Sequence, residues 1–261
     1  MKLGDLSICL VTFRQRRELV KSLIAKIREY SPNEIDIILA VNGNIDEQMP
    51  DDYRLEMLDL SKQYKNIYPI ICPDFMSLSK LWNTLIIFSK TEYNFVMTDD
   101  LYLNNPNVFE SIVNSIKYSE EGFFTINNGF SHFVTSKTFM HEIGYFDERL
   151  LAYGEEDGDL VHRYIKMYKR SVPNLSIPEL RNLAAYNLRM NDTEYHIDNK
   201  PTVNREIAKL KYKDDPNGIK GMNPTPISQT GILEDYQQYP YESFVRKNRF
   251  NIKKFEKIIL E

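Results

Sequence analysis

Apolar residues in the first half of the chain fall into two alternating patterns. Short continuous apolar runs, without polar alternation, favour parallel strands covered on both faces; they lie at residues 6–13, 35–41, 67–72 and 93–97. Apolar residues at helical spacing predict helices beginning near Arg16, Leu78 and Asn105. The charged stretch between the second and third runs is less regular and receives no element.

This order of elements predicts the fold class. Strands that alternate with crossover helices form a mostly parallel, doubly wound α/β sheet. Ligands of such sheets bind beyond the carboxyl ends of the strands, near the point where strand order reverses. Thr12, Asn42, Asp99 and Asp100 stand at or just after strand ends, so we expect them at that edge.

The second half of the chain has a different character. Two strands are predicted on either side of Asn128-Gly129, followed by a short helix at 137–143 and a longer one at 155–169. Beyond about residue 178 the sequence is less regular, and a helical pattern returns at 244–260. We therefore expect a helical and irregular C-terminal extension.

Composition and charge narrow the function classes. The 261 residues include 33 basic and 37 acidic side chains, for a net charge of −4, which argues against a dedicated nucleic-acid binder. Cys9 and Cys72 lie in or beside apolar runs and are expected to be reduced and buried. Without a signal-peptide pattern or a run long enough to span a bilayer, the expectation is a cytoplasmic protein.

Two acidic clusters are candidates for chemistry. Asp99 and Asp100 follow a buried strand, where adjacent carboxylates repel each other unless a hard divalent cation neutralises them; the alternative is an ordinary turn or helix cap. The second cluster, at residues 155–159, opens a helix. Its acids are either dipole-stabilised helix-start residues or the source of a carboxylate base.

Taken with three further segments, these clusters resemble the inverting glycosyltransferases of the GT-A fold, close to family 2. The resemblance covers residues 6–171 and rests on five segments in order: the opening strand SICLVTF, the strand and turn DIILAVNGNID, Leu81-Trp82-Asn83, Thr98-Asp99-Asp100, and GYFDE followed by EDGDL. The last pair is the most specific. Thr98 replaces the first acid of the family's metal motif, Val41 stands where many members have an acid, and Arg14 replaces a common Asn.

The resemblance implies the following roles. Asp157 would be the catalytic base, with Glu156 orienting acceptor hydroxyls. Asp100 would bind Mn²⁺ or Mg²⁺, with His196 as a candidate further ligand. The donor-binding residues would be Thr12, Arg14, Asn42, Asn83 and Asp99. Because Asp157 lies at a helix N-terminus, its pKa is expected to be lowered.

The implied organisation is a catalytic domain at 1–185 and a C-terminal extension at 186–261. Within the catalytic domain, 1–105 would bind the nucleotide sugar, most simply a UDP-sugar, and 106–185 the acceptor. The acceptor would be a saccharide or a lipid-linked saccharide in surface polysaccharide synthesis. The sequence leaves open the donor sugar, the nucleotide, the linkage and the oligomeric state.

Two other functions compete with this interpretation. A sugar-nucleotide pyrophosphorylase shares the sheet and a metal-binding acid, but it needs a Gly-rich phosphate loop, and residues 12–17 contain no glycine. A non-catalytic carbohydrate-binding protein on the same fold is the other alternative. The retained acids Asp99, Asp100 and Asp157 argue against it.

The last segment of the chain, residues 242–261, carries a net charge of +3 from six basic and three acidic residues. Val245, Ile252, Phe255 and Ile259 would form one apolar helical face. A basic amphipathic helix favours weak contact with an anionic membrane surface. The alternative is a helix packed on the catalytic domain.

Overall fold

The structure is a computed structural model, and it describes residues 2–31, 35–43, 48–148, 150, 154–183 and 204. The strands are β1 (Leu6–Phe13), β2 (Asp36–Asn42), β3 (Ile67–Ile71), β4 (Tyr93–Thr98), β5 (Leu101–Leu103), β6 (Phe123–Ile126), β7 (Gly129–Ser136), β8 (Asn174–Leu175) and β9 (Leu180–Asn182). The α-helices are α1 (Arg17–Tyr30), α2 (Asp51–Gln63), α3 (Leu78–Phe88), α4 (Asn107–Ile116), α5 (Lys137–Ile143) and α6 (Glu156–Tyr168).

The main sheet has seven strands in the order β3-β2-β1-β4-β7-β6-β8. Strand β1 lies parallel to both β2 and β4, β2 is parallel to β3, and β6 is parallel to β8. Among the described strands of this sheet, β7 alone runs against the others, antiparallel to both β4 and β6, and in a separate two-stranded sheet β5 pairs antiparallel with β9. The prediction of a mostly parallel, doubly wound α/β sheet is confirmed.

The order of the strands places a reversal between β1 and β4. From β1 the chain winds outward through β2 and β3, and then returns to place β4 on the other side of β1. Sheets of this kind open a crevice at such a reversal, on the side of the strands' carboxyl ends. The residues at the ends of β1 and β4 are therefore the first place to look for a ligand site.

Side chains at the centre of the sheet are buried on both of its faces. All eight residues of β1 are buried, as expected for a central parallel strand covered by helices. Helix α1 buries Val20, Leu23, Ile24 and Ile27, which recur at helical spacing. Three of the four continuous apolar runs thus correspond to the buried inner strands β1, β2 and β4. The run at 67–72 was expected to be covered on both faces, but it forms β3 at the edge of the sheet, where only Ile67 is buried.

Helix α2 was missed by the sequence analysis, which assigned no element to this charged stretch. It buries Tyr53, Met57 and Leu60, spaced by four and three residues. Most other side chains of the helix are polar, and Leu55 and Leu58 lie off the stripe, so the helical period is hard to see in the sequence. The helix is stabilised only when this apolar stripe packs against the folded protein.

Contacts divide the described residues into two compact units. The first contains residues within 2–76, 89–137 and 174–183, and so holds the main sheet, the small β5–β9 sheet and helices α1, α2 and α4. The second contains residues within 77–88 and 138–173, with α3, α6 and most of α5. Aromatic contacts help to hold the second unit together, including Trp82 with Phe146 at 4.9 Å and Tyr164 with Tyr168 at 4.7 Å between ring centroids.

Two further expectations concern the cysteines and membranes. Cys9 and Cys72 are both free and buried, as predicted. Among the helices of the described residues, none combines the length and the apolar character that a membrane span requires. The amphipathic segment at 244–260 lies outside the described residues.

Candidate active site

The carboxyl ends of β1 and β4 meet through a buried hydrogen bond. The Thr12 hydroxyl donates to Oδ2 of Asp99 over 2.7 Å. The register of the two parallel strands, which pairs Val11 with Thr98, brings these side chains together. Two of the residues that the sequence placed at this edge are therefore in direct contact.

Asp99 is enclosed by the protein. It is 1% exposed, and its Oδ1 accepts a hydrogen bond from Nη1 of Arg16 over 3.0 Å. Burial raises the pKa of Asp99 to about 7, although Arg16 and the Thr12 hydroxyl oppose that shift. Asp99 thus serves to hold Thr12 and Arg16 in place at the end of the sheet.

Asp100 faces outward beside it. Its Oδ1 accepts from the Thr98 hydroxyl over 2.6 Å, and its Oδ2 lies 3.2 Å from Arg16 Nη1. The Asp100 side chain is 20% exposed, so it is the accessible member of the acid pair. The main-chain oxygen of Asp100 accepts from the amide of Leu183, which fixes the turn after β4.

Sequence reasoning missed Arg16. It ends a 3-10 turn, Arg14–Arg16, that directly follows β1, and its guanidinium stacks over the Phe13 ring at 5.0 Å. The basic run after β1 was visible, but its spacing does not say which member turns toward the acids. Arg14, the predicted donor-binding residue, lies half-buried in the same turn.

Asn42 ends β2 and pins the loop that precedes α3. Its side-chain amide donates to the carbonyl oxygen of Met76 over 3.0 Å and accepts from the Met76 amide over 2.9 Å. The next residue, Gly43, lies so close to this loop that an added Cβ would stand 2.4 Å from the Pro73 oxygen. The Asn-Gly pair therefore sets the loop position, a structural role that its turn-like sequence does not reveal.

Asn83 plays a similar part in the second unit. From within α3, its side chain donates to the carbonyl oxygen of Phe146 and to Oε1 of Glu148, each over 3.0 Å. Its oxygen accepts from the Phe146 amide over 2.9 Å. Asn83 is thus joined to the GYFDE segment with which it shares the family resemblance.

Helix α6 begins at the second acidic cluster. Glu155 precedes it in a left-handed conformation, with φ of 73°. Glu156 is buried. Its pKa is raised to about 8, mainly by burial and to a lesser extent by the charge of the neighbouring Asp157. The side chain of Glu156 is therefore largely neutral at pH 7.

Asp157 corrects an expectation based on helix position. Its pKa is raised, not lowered, because loss of solvent outweighs hydrogen bonds from backbone amides. One of these bonds runs from the Gly158 amide to Oδ1 over 2.8 Å. A carboxylate with a raised pKa is a stronger base than the sequence suggested.

Asp159, the last acid of the cluster, stabilises the helix. Its Oδ2 accepts from Nε of Arg163 over 2.9 Å and lies 2.8 Å from the same residue's Nη2. Nη1 of Arg163 donates to the carbonyl oxygen of Ile143, at the end of α5. The EDGDL motif therefore combines a structural acid with candidate chemical ones.

The donor atoms at the β4 end suit a hard cation. Carboxylate oxygens are the ligands that Mg²⁺ and Mn²⁺ prefer, and the Arg16 guanidinium already lies beside both Asp99 and Asp100 as a positive group. His132 is buried close by, and burial lowers its pKa to about 4. The residues that the structure describes include no group of three or more His, Cys, Asp and Glu side chains placed to hold a metal ion, and His196 lies outside them.

Solved structures similar to this chain include a mannosyltransferase and two further proteins solved with UDP. The mannosyltransferase PcManGT from Pyrobaculum calidifontis, solved with GDP-Man and Mn²⁺, superposes with a TM-score of 0.57 at 10% identity, over 94% of this chain and 73% of that chain. Residues 1–349 of S. aureus TarS, solved with UDP, give 0.50 at 10% identity, over 97% and 91%. Glucosyl-3-phosphoglycerate synthase from Mycobacterium tuberculosis, solved with Mn²⁺, UDP and glucosyl-3-phosphoglycerate, gives 0.50 at 11% identity, over 68% and 71%.

Sequence comparison adds no family: no family model matches the chain, and no curated protein matches it. At such low identity the likeness to solved structures shows the fold alone. The chain has the GT-A fold.

Proposed function

We propose that this GT-A-fold protein transfers a sugar from a nucleoside-diphosphate sugar to a hydroxyl group of an acceptor, with inversion at the anomeric carbon. The observation that carries the proposal is the acid pair at the end of β4. It lies at the strand-order reversal, hydrogen-bonded to the end of β1, where doubly wound sheets bind nucleotides. The three similar structures, each solved with a nucleotide or nucleotide sugar, support the same substrate class.

In this proposal Asp100 would hold a divalent cation, Mn²⁺ or Mg²⁺, through its partly exposed carboxylate. The cation would neutralise the negative charge that grows on the departing diphosphate. Thr12, Arg14 and Asn42 would contact the donor. Asp99 would hold Thr12 in position through the hydrogen bond between their side chains. His196 stays a proposed further ligand.

Asp157 is the proposed base. A lone pair of the acceptor oxygen forms the new bond to the anomeric carbon, while the bond from that carbon to the diphosphate oxygen breaks. The acceptor proton passes to the Asp157 carboxylate. Inversion needs this one displacement and no enzyme nucleophile. The raised pKa of Asp157 favours the proton transfer.

Glu156 and Asn83 complete the proposed machinery in the second unit. Neutral Glu156 would donate a hydrogen bond to an acceptor hydroxyl, which an ionised carboxylate cannot do. Asn83 would act through the GYFDE segment that it holds. The proposed acceptor is a saccharide or lipid-linked saccharide used in surface polysaccharide synthesis, on the basis of the family resemblance.

The test is a panel of UDP- and GDP-sugars with Mn²⁺. A true donor raises the melting temperature, and saturation at a hundred times Kd adds about 2.7 kcal/mol to stability. The same donor should hydrolyse slowly to free sugar and nucleoside diphosphate. If no nucleotide sugar binds or hydrolyses, the proposed function is wrong.

Asp100→Asn tests the role of the acid pair. The variant should lose the Mn²⁺-dependent part of donor binding in calorimetry. Asp59→Asn, the same change at an exposed position on α2, is the matched control and should bind as the parent does. Formation of pyrophosphate from a nucleoside triphosphate and a sugar phosphate would instead identify a pyrophosphorylase.

A further inference from the structure

Arg16 and the acid pair are joined by a connected set of short contacts. A single guanidinium nitrogen, Nη1, lies 3.0 Å from Asp99 Oδ1 and 3.2 Å from Asp100 Oδ2. The other oxygen of each carboxylate accepts a hydroxyl hydrogen bond, from Thr12 for Asp99 and from Thr98 for Asp100. All four carboxylate oxygens therefore have partners within the chain.

The contact of Arg16 with Asp99 is less accessible to solvent than its contact with Asp100. On the Asp99 side, the carboxylate is 1% exposed, and the guanidinium also stacks on the Phe13 ring. On the Asp100 side, the carboxylate is 20% exposed. Because desolvated, charge-assisted contacts are the harder ones to replace, the contact with Asp100 is the one that an incoming cation can break.

We infer that Arg16 is an exchangeable counter-ion, which a divalent cation must displace from Asp100 Oδ2 while the guanidinium stays bound to Asp99. The inference rests on the proposed metal role of Asp100 and assigns to Arg16 the control of metal affinity. Two cations cannot share the Oδ2 atom at short range without repulsion. Arg16 therefore weakens the binding of metal in the absence of a nucleotide.

The primary test measures Mn²⁺ alone, without any nucleotide. Free Mn²⁺ is followed by electron paramagnetic resonance during titration of the full chain and of Arg16→Gln. Removal of the competing guanidinium should tighten Mn²⁺ binding by about tenfold, within the usual range of coupling between sites. Unchanged or weaker binding in Arg16→Gln would overturn the inference.

Arg17→Gln is the matched control for charge. Arg17 is the next residue, and its guanidinium lies 3.8 Å from the carboxylates of Asp52 and Glu56 on α2. Its removal lowers the net charge equally but leaves the acid pair untouched. Equal tightening in both variants would mean that long-range charge, not exchange at Asp100, sets the affinity, and the inference would fail.

A measurement on the unmodified chain covers the case in which Arg16→Gln does not fold. The arginine Nε–H resonances are followed by ¹⁵N NMR during titration with diamagnetic Mg²⁺, with Arg16 assigned from Arg16→Lys. The Arg16 signal should shift at the Mg²⁺ concentration that saturates the protein, and the Arg17 signal should not. An Arg16 signal that is insensitive to saturating Mg²⁺ would overturn the inference.

These outcomes are separate from those of the proposed function. Tighter Mn²⁺ binding in Arg16→Gln with no nucleotide-sugar hydrolysis would support the exchange and refute the transferase. Nucleotide-sugar hydrolysis by the parent chain, together with equal Mn²⁺ affinity of the parent and Arg16→Gln, would support the transferase and refute the exchange.

Discussion

At the scale of single residues, burial sets the chemistry of the carboxylates at the start of α6. Glu156 and Asp157 both lie where the helix dipole favours negative charge, yet both have raised pKa values because solvent is excluded. Loss of hydration outweighs the partial charge of the helix end. Glu156, with a pKa of about 8, is therefore suited to exchanging a proton near neutral pH, and the raised pKa of Asp157 makes it a stronger base than an exposed carboxylate.

Asp157→Asn should abolish sugar transfer while leaving donor binding close to that of the parent. An amide cannot take the acceptor proton, and loss of a general base typically costs about 10²–10⁴ in rate. The measurement is the transfer or hydrolysis rate at saturating donor, with donor affinity from calorimetry. Near-parental turnover in the purified variant would contradict the assignment.

Glu156→Gln should stabilise the protein at alkaline pH. Between the ordinary Glu pKa of 4.5 and the folded value of about 8, the folded state holds a proton that the unfolded chain has lost. The free energy of unfolding of the parent therefore falls as pH rises through this window, and glutamine removes that loss. The advantage of the variant should grow to roughly a few kcal/mol by about pH 8.5.

Urea unfolding of parent and variant at about pH 5 and about pH 8.5 measures this linkage. Glu110→Gln, the same substitution at an exposed position on α4, is the matched control. An advantage of Glu156→Gln that is equal at both pH values would show that the carboxyl is not protonated in the folded state.

At the scale of elements, two side-chain anchors fix the segments around the candidate site. Arg163 ties α6 to the end of α5 through Asp159 and the Ile143 carbonyl oxygen. Asn42 and Gly43 fix the loop before α3. Arg163 lies on the helix that carries Glu156 and Asp157, so a change there should move these groups without altering them. Asn42 is itself proposed for donor binding, so a change there should affect both the loop and the donor contact.

Asp159→Asn should destabilise the fold strongly. Arg163 is 1% exposed, and loss of the partner of a buried charge typically costs about 3–5 kcal/mol. Chemical denaturation measures the loss. Glu29→Gln breaks a pair of similar spacing with Lys26 on the surface of α1. Because solvent screens that pair, this variant should lose much less stability than Asp159→Asn, and similar losses in both variants would contradict the structural role of Asp159.

Gly43→Ala should cost roughly 1–3 kcal/mol, as overpacking usually does. The new methyl group would meet main-chain atoms of Pro73 and Asp74 at 2.4–2.8 Å, and backbone cannot swing aside as a long side chain can. Gly129→Ala is the control, because its nearest neighbours would lie 3.5 Å away. Equal thermal stability of the two variants would show that the loop moves freely.

At the scale of the whole molecule, the residues proposed to function in transfer are distributed over the two compact units. The first carries the acid pair with Thr12, Arg14 and Asn42, and the second carries Glu156, Asp157 and Asn83, although Asn83 was expected to bind the donor. The hypothesis that residues 242–261 bind an anionic membrane stays a prediction, since that segment lies outside the described residues.

Truncation after Tyr241 should abolish co-sedimentation with anionic vesicles. Each basic residue near anionic lipid contributes about 1 kcal/mol, so binding of the full chain should weaken with salt. Neutral phosphatidylcholine vesicles are the control and should retain neither form. If both forms stay in the supernatant at low salt, the segment does not bind membranes.

The sequence by itself predicted six of the seven strands described for the main sheet, all but the two-residue β8, and the edge at which the candidate site lies. Runs such as LSICLVTF are apolar on both faces, and that property is sufficient to predict central strands. Strand ends follow from where the runs stop, so Thr12 and Asp99 could be placed at one edge before their contact was known. Local pattern succeeds here because strand burial is a property of consecutive residues.

Only the tertiary structure decided which polar side chains meet and how much water they keep. Arg16 reaches Asp99 across 83 positions of the sequence, Asn42 pairs with Met76, and α2 depends on a narrow stripe that only the folded sheet can cover. The raised pKa of Asp157 reverses the expectation from helix position, because desolvation is a sum over every neighbouring group. Such sums depend on distances in space, and sequence spacing does not contain them.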